Sequence, residues 1–101
     1  MEFTEEQIEE IESLAGINYT IKQMAMYFNI PIKELQRQFD DKTSEFRFHY
    51  DRGQLIAQAQ IDMAVLTSAK GGNTTAQQQI EKIRDARKFE NIRDQLLYGD
   101  R

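Results

Sequence analysis

The hydrophobic pattern between residues 20 and 39 predicts two short helices joined by a tight turn. Apolar residues recur there at helical spacing in two groups, Met24, Ala25 and Phe28 and then Ile32, Leu35 and Phe39. Between the groups, Asn29 tolerates the left-handed turn conformation and Pro31 suits the first turn of a new helix. Thr20 and Gln23 have the spacing of a capping box. We interpret this stretch as a helix-turn-helix, whose second helix can enter the DNA major groove.

A further amphipathic helix is predicted before this stretch. Thr4 and Gln7 repeat the capping-box spacing. The apolar positions that follow lie on one helical face, namely Ile8, Ile11, Leu14 and Ala15. We expect Gly16 to end the helix as the glycine beyond its last turn. Residues 1–43 are therefore predicted to form a three-helix module that contains the helix-turn-helix.

Two long helices are predicted for residues 44–101. The first, from about Glu45 to Lys70, would span about 40 Å at 1.5 Å per residue. Gly71–Asn73 ends it, and the second helix begins at once. Because the link is so short, the two helices should form an antiparallel hairpin with a short C-terminal tail. Gly53 is expected to mark a bend or a close helix crossing. The predicted fold class is all-α.

The hairpin is also predicted to oligomerise, because its first helix is apolar on more than one side. One antiparallel partner covers only one stripe, and soluble monomers seldom tolerate the large apolar patch that would remain. The expected interface comprises Leu55, Ile56, Ala59, Ile61, Met63, Leu66, Ile80, Ile83 and Arg87. The inner face of the second long helix is expected to carry Ala76, Ile80, Ile83, Phe89, Ile92 and Leu96.

The polar side of the helix-turn-helix supplies the candidate DNA contacts. Lys33, Gln36 and Arg37 lie opposite the apolar positions of the second helix. Arg and Gln can make bidentate contacts with guanine and adenine edges, respectively. Lys22, Gln23 and Lys42 are placed to meet phosphates.

The charge distribution opposes strong DNA binding by a single copy. Residues 1–43 contain four bases against nine acids, a net charge of −5, whereas residues 44–101 contain nine bases against eight acids. A protein that depends on phosphate contacts is usually basic. The acids of the first helix that lie away from its apolar face are either simply solvated or form a face that repels DNA.

The candidate chemistry for catalysis is sparse. The chain has no cysteine, so thiolate zinc sites, disulfides and cysteine nucleophiles are excluded. Its one histidine, His49, lies among aromatic residues and is expected to be structural. The segment after Lys70 contains two glycines but lacks the Lys-Ser/Thr of a phosphate-binding loop. We expect no enzymatic activity, no cofactor, no metal and no membrane span, in an intracellular soluble protein.

Two further segments complete a recognisable order of parts. They are Phe46–Gly53, with the sequence FRFHYDRG, and Ala69–Ala76, with the sequence AKGGNTTA. Together with the predicted helix-turn-helix, they resemble the small terminase subunit of tailed bacteriophages over most of the chain. In that family a similar aromatic, acidic, basic and glycine segment opens the central helix. A Gly-Asn-Thr-Ala-like turn precedes the second helix of the hairpin.

The resemblance implies a function in viral DNA packaging. Small terminase subunits recognise viral DNA when packaging begins, assemble into rings through the central hairpin, and regulate the large ATPase–nuclease subunit. The implied partners are double-stranded viral DNA, the large terminase subunit and further copies of the chain, in the cytoplasm of an infected bacterial host. The large subunit would meet either the short tail Leu96–Tyr98 or the ring itself.

Two other functions are compatible with the same pattern. A small transcriptional regulator would share the helix-turn-helix but form a dimer on a palindromic site. A helical scaffold would keep the three-helix core without binding DNA, and the acidic first module favours this alternative. The DNA sequence, the number of subunits and the host do not follow from the pattern.

Overall fold

In a computed structural model, residues 2–99 are described, and they form five α-helices and no strand. The helices are α1 (Glu5–Gly16), α2 (Ile21–Phe28), α3 (Ile32–Asp40), α4 (Glu45–Lys70) and α5 (Thr74–Tyr98). The predicted all-α class is confirmed. The outermost residues of the two predicted modules, 1 and 100–101, lie outside the described residues. None of these helices is both long enough and apolar enough to cross a membrane.

The chain divides into two compact units, the first ending at Ala59 and the second beginning at Gln60. The boundary predicted between residues 43 and 44 remains a prediction. Within the first unit, five side chains are buried in one core, Ile11, Met24, Ala25, Leu35 and Phe46. They come from α1, α2, α3 and the first turn of α4, so the start of the long helix shares the core of the three short ones.

The starts of α1 and α2 are fixed by the predicted capping boxes. In α1, the Gln7 backbone N–H donates to the Thr4 hydroxyl over 3.1 Å, and the Thr4 N–H donates to the Gln7 amide oxygen over 2.9 Å. Thr20 and Gln23 make the same pair of bonds in α2. Asn29 ends α2 with φ 57° and ψ 47°, the left-handed conformation expected of it.

A close crossing between α1 and α4 is built on two glycines. A Cβ on Gly53 would lie 2.6 Å from the Cα of Glu12, and one on Gly16 would lie 3.1 Å from the Cβ of Ala57. The crossing expected at Gly53 is confirmed. The role expected of Gly16 is wrong, because Gly16 is the last residue of α1 and Asn18 takes the positive φ, 65°, beyond it. Gly16 instead provides space for α4.

The observed α3 differs from the predicted helix at its start. Pro31 is the cap rather than the first helical residue, and the helix runs to Asp40 rather than Phe39. Leu35 is completely buried, but Ile32, predicted to be buried, is 46% exposed. At about 100° per residue, Ile32 lies about 60° from Leu35, at the rim of the face that Leu35 and Phe39 define.

The second unit contains the end of α4 and the whole of α5. Gly72, with φ 97°, lies in the link between them, and the Asn73 side chain caps α5 by accepting from the Ala76 N–H over 2.9 Å. Ala69 and Ala76 are buried. The amide Nε2 of Gln77 donates to the Ala69 carbonyl over 3.1 Å.

The inner face predicted for α5 is only half correct. Ala76 is buried, and Ile80 and Ile83 are partly buried. The remaining three predicted members are exposed, namely Phe89, Ile92 and Leu96. The step from Ile80 to Phe89 is nine residues, a net rotation of about 180° at 100° per residue. The apolar stripe therefore moves to the opposite side of the helix.

Candidate nucleic-acid interface

The outer face of α3 presents the side chains predicted to read DNA. Lys33, Gln36 and Arg37 are all exposed, and they line one shallow surface depression together with Ile32 and Asp40. Within the described chain, no side-chain hydrogen bond or ion pair occupies Lys33 or Arg37. The exposed edge of this helix is therefore polar, cationic at two positions, and flanked at its start by one apolar side chain.

The orientation of α3 is fixed from within by burial of Leu35 and from its end by α4. The Ser44 hydroxyl donates to the Gln38 carbonyl, and an Arg47 guanidinium N–H donates to the Phe39 carbonyl over 2.9 Å. The guanidinium carbon also lies 4.4 Å from the centre of the Phe39 ring. These contacts satisfy carbonyls that the end of a helix leaves without a partner. They connect the C-terminal end of α3 to the start of α4.

Gln36 and Asp40 are linked on that exposed face. The Gln36 amide Nε2 donates to the Asp40 Oδ1 over 3.0 Å. Residues four apart lie on the same side of a helix, so the bond runs along the surface rather than into the core. The Gln36 amide, predicted to meet a base edge, is therefore hydrogen-bonded to a residue of its own helix.

The three residues predicted to meet phosphates lie in different settings. Lys22 is exposed in the first turn of α2, and Lys42 is exposed in the connection between α3 and α4. The Gln23 amide oxygen accepts from the Thr20 N–H, so only its NH2 group remains for a phosphate. Next to Lys42, the hydrogen bonds that Thr43 donates keep the pKa of Asp41 below its usual value.

The acids of α1 lie on and beside an exposed surface. Glu5, Glu6 and Glu9 are exposed, and the Tyr27 hydroxyl donates to the Glu10 carboxylate. The hydrogen bond and the negative charge of Glu10 raise the pKa of Tyr27. The first unit therefore presents acidic α1 as well as the cationic positions of α3.

His49 is part of the contact between α1 and α4. Its Nδ1 lies 2.7 Å from Glu12 Oε2, while Arg52 Nη1 lies 2.6 Å from Glu12 Oε1. Burial raises the pKa of Glu12, but the hydrogen bonds and positive charges of His49 and Arg52 together outweigh burial and lower it. Among residues 2–99, no group of three or more acidic or histidine side chains could hold a metal ion.

The residues predicted to join copies are exposed to different degrees. Leu55, Ile61 and Met63 are 67%, 58% and 58% exposed, and Leu66 is also exposed. Four others are partly buried, namely Ile56, Ala59, Ile80 and Ile83. Arg87 is half exposed and has Asp62 and Glu90 as ion-pair partners at 3.6 and 3.4 Å.

Two residues that position the α3 face were not among the predicted site residues. Asp40 was detectable, because Gln36 and Asp40 have the i, i+4 spacing of a helical side-chain pair. Arg47 was not detectable in this role, because its contact with the Phe39 carbonyl depends on the angle between α3 and α4.

The chain was compared with protein-family models, curated proteins and solved structures, and none of them matches it.

Proposed function

We propose that the chain is a non-enzymatic DNA-recognition subunit of a phage genome-packaging machine, similar in role to the small terminase subunit. In this proposal α2 and α3 act as a helix-turn-helix and α3 enters the major groove. Lys33, Gln36 and Arg37 then face base edges. Lys22, Gln23 and Lys42 meet the phosphates on either side.

The observation that carries the proposal is the contrast between the two sides of α3. Leu35 is completely buried, while three side chains able to contact DNA stand exposed on the opposite side. Ser44 and Arg47 fix the end of the same helix. A helix whose orientation is fixed and whose polar face is exposed is what sequence readout in a groove requires.

Assembly into a ring is the second part of the proposal. The end of α4 and α5 would form an antiparallel hairpin that joins copies. Ile61, Met63 and Phe89 support this, because each of these large apolar residues is more than half exposed in a single chain. Contacts between two different surfaces of neighbouring copies generate a ring when the rotation closes.

A ring would also compensate for the net negative charge of residues 1–43, which opposes DNA binding by a single copy. Several copies of α3 on one DNA molecule would bind with avidity, although each first module carries a net charge of −5. The assembly would act in the cytoplasm of an infected bacterium and regulate the large terminase subunit. That contact would use the exposed residues Leu96, Leu97 and Tyr98.

Two alternative functions are compatible with the same fold. A dimeric transcriptional regulator would use the same α3 face. A scaffold without DNA binding is favoured by the exposed acids of α1, Glu5, Glu6 and Glu9. The number of copies separates the regulator from the ring, and DNA binding separates the scaffold from both.

Paired substitutions on α3 test the DNA-binding part of the proposal. Lys33→Ala with Arg37→Ala should weaken duplex binding by about 1–3 kcal/mol for each base contact that is lost and should relax the sequence preference. Lys70→Ala with Lys82→Ala removes the same charge from exposed positions elsewhere and should change binding much less. Equal binding by both double variants, at unchanged helicity, would exclude the α3 face as the DNA contact.

A further inference from the structure

The hydrogen bond between Gln36 and Asp40 lies on the proposed DNA-reading face. Its donor is the Gln36 Nε2 and its acceptor the Asp40 Oδ1, 3.0 Å apart. Lys33 and Arg37 line the same surface depression. A contact at this place would therefore be part of the surface that meets a base pair.

Asp40 is poorly placed both for helix stability and for DNA affinity. It is the last residue of α3, where the helix dipole disfavours a negative charge. On a face that approaches DNA, a carboxylate also repels the phosphates. A role that requires its oxygen, rather than its charge, accounts for its position.

The chemistry of the bond indicates that role. An ionised carboxylate only accepts hydrogen bonds, so it selects the NH2 end of the amide and fixes which way the amide points. One amide hydrogen is then committed to Asp40. The other hydrogen and the amide oxygen of Gln36 stay free, and they form the pair that adenine requires at N7 and N6, respectively.

We infer that Asp40 is a positioning residue that holds the Gln36 amide in the orientation that reads adenine. This inference rests on the proposed DNA-binding function and adds a base preference to it. Asp40 then has two opposing effects. Its charge lowers the affinity for any duplex, and its oxygen raises the discrimination between adenine and other bases.

Two substitutions at residue 40 separate these effects. Asp40→Ala removes both the charge and the acceptor oxygen. Asp40→Asn removes the same charge but keeps a side-chain oxygen that can accept from Gln36. Because residue 40 is exposed at a helix end, both variants should retain the far-ultraviolet circular dichroism of the native chain.

The experiment begins with selection from a random-sequence duplex library by the full chain. The selected duplex is then compared with a copy that carries 7-deazaadenine, which lacks N7, at the preferred adenine. The native chain should bind the modified duplex at least about fivefold more weakly. Asp40→Ala should bind the unmodified duplex more tightly than the native chain at low salt, yet weaken about twofold or less on modification. Asp40→Asn should bind more tightly as well and keep the fivefold discrimination of the native chain.

Each other result has a definite meaning. If Asp40→Ala discriminates as well as the native chain, or if Gln36→Ala keeps the adenine preference, the positioning role is wrong although DNA binding stands. If Asp40→Asn loses discrimination as completely as Asp40→Ala, the acceptor oxygen is not responsible and the inference fails. If the native chain selects no duplex at all, the proposed function fails together with it.

Discussion

The contact between α1 and α4 at Gly53 should make this glycine the most sensitive small residue of the first unit. A Cβ at this position would lie 2.6 Å from the Cα of Glu12 and closer still to its carbonyl oxygen. These atoms belong to the backbone, so no flexible side chain can move aside. Gly53→Ala must therefore push the two helices apart by roughly 1 Å to restore ordinary van der Waals contact.

The magnitude follows from two opposing effects. Overpacking a tight interior contact costs about 1–3 kcal/mol, and a backbone obstacle places Gly53 at the upper end of that range. Replacing glycine by alanine inside a helix returns about 1 kcal/mol through helix propensity. The expected net decrease is about 2 kcal/mol in the free energy of unfolding. In a domain of this size, that decrease lowers Tm by roughly 8–16 °C.

Thermal and urea denaturation followed by circular dichroism measure this decrease. Gly71→Ala is the matched control, because a Cβ there would meet its nearest neighbour, the Ser68 carbonyl oxygen, at an ordinary 3.4 Å. This control should change the free energy of unfolding by about 0.5 kcal/mol or less. If Gly53→Ala were as stable as the native chain, or more stable, helix propensity alone would govern the position and the close crossing would be refuted.

Two further predictions concern pH and assembly. Because the pKa of Glu12 is lower in the folded chain than in the unfolded one, its contribution to stability is complete above its usual pKa, about 4.3, and is lost as the pH falls through the lowered value. Urea denaturation between neutral and acidic pH should thus show a smaller acid-induced decrease in stability for Glu12→Gln than for the native chain, and equal decreases would contradict this role. Ile61→Glu places a charge on an apolar surface proposed to join copies and should yield smaller species by light scattering at micromolar concentration, whereas Gln60→Glu, an exposed neighbour, should not. Native-sized assemblies of Ile61→Glu would remove this surface from the interface.

The parts of the fold that depend on local chemistry were predictable from the sequence. The capping boxes at Thr4 and Thr20 and the left-handed turn at Asn29 are each determined within a few residues, and all three are present. The start and end of α4 were also predicted, at Glu45 and Lys70. A polar segment precedes this helix, and two glycines follow it.

The predictions of burial failed where packing between helices, rather than helical periodicity, decides which apolar residues are covered. Ile32 follows the helical pattern of the buried residues but lies at the rim of their face on α3 and is 46% exposed. Phe89 belongs to an apolar stripe on the opposite side of α5 from Ile80. In the candidate site, exposure of Lys33, Gln36 and Arg37 followed from periodicity, whereas the Arg47 contact with α3 depends on an interhelical angle that spacing does not encode.

Native mass spectrometry of the full chain, with and without a duplex several helical turns long, tests the proposed function most directly. We predict an assembly of more than two copies that keeps a bound duplex at low salt. A dimer on the duplex would support the transcriptional regulator instead. A monodisperse monomer that leaves the duplex free would contradict both the ring and the DNA-recognition function.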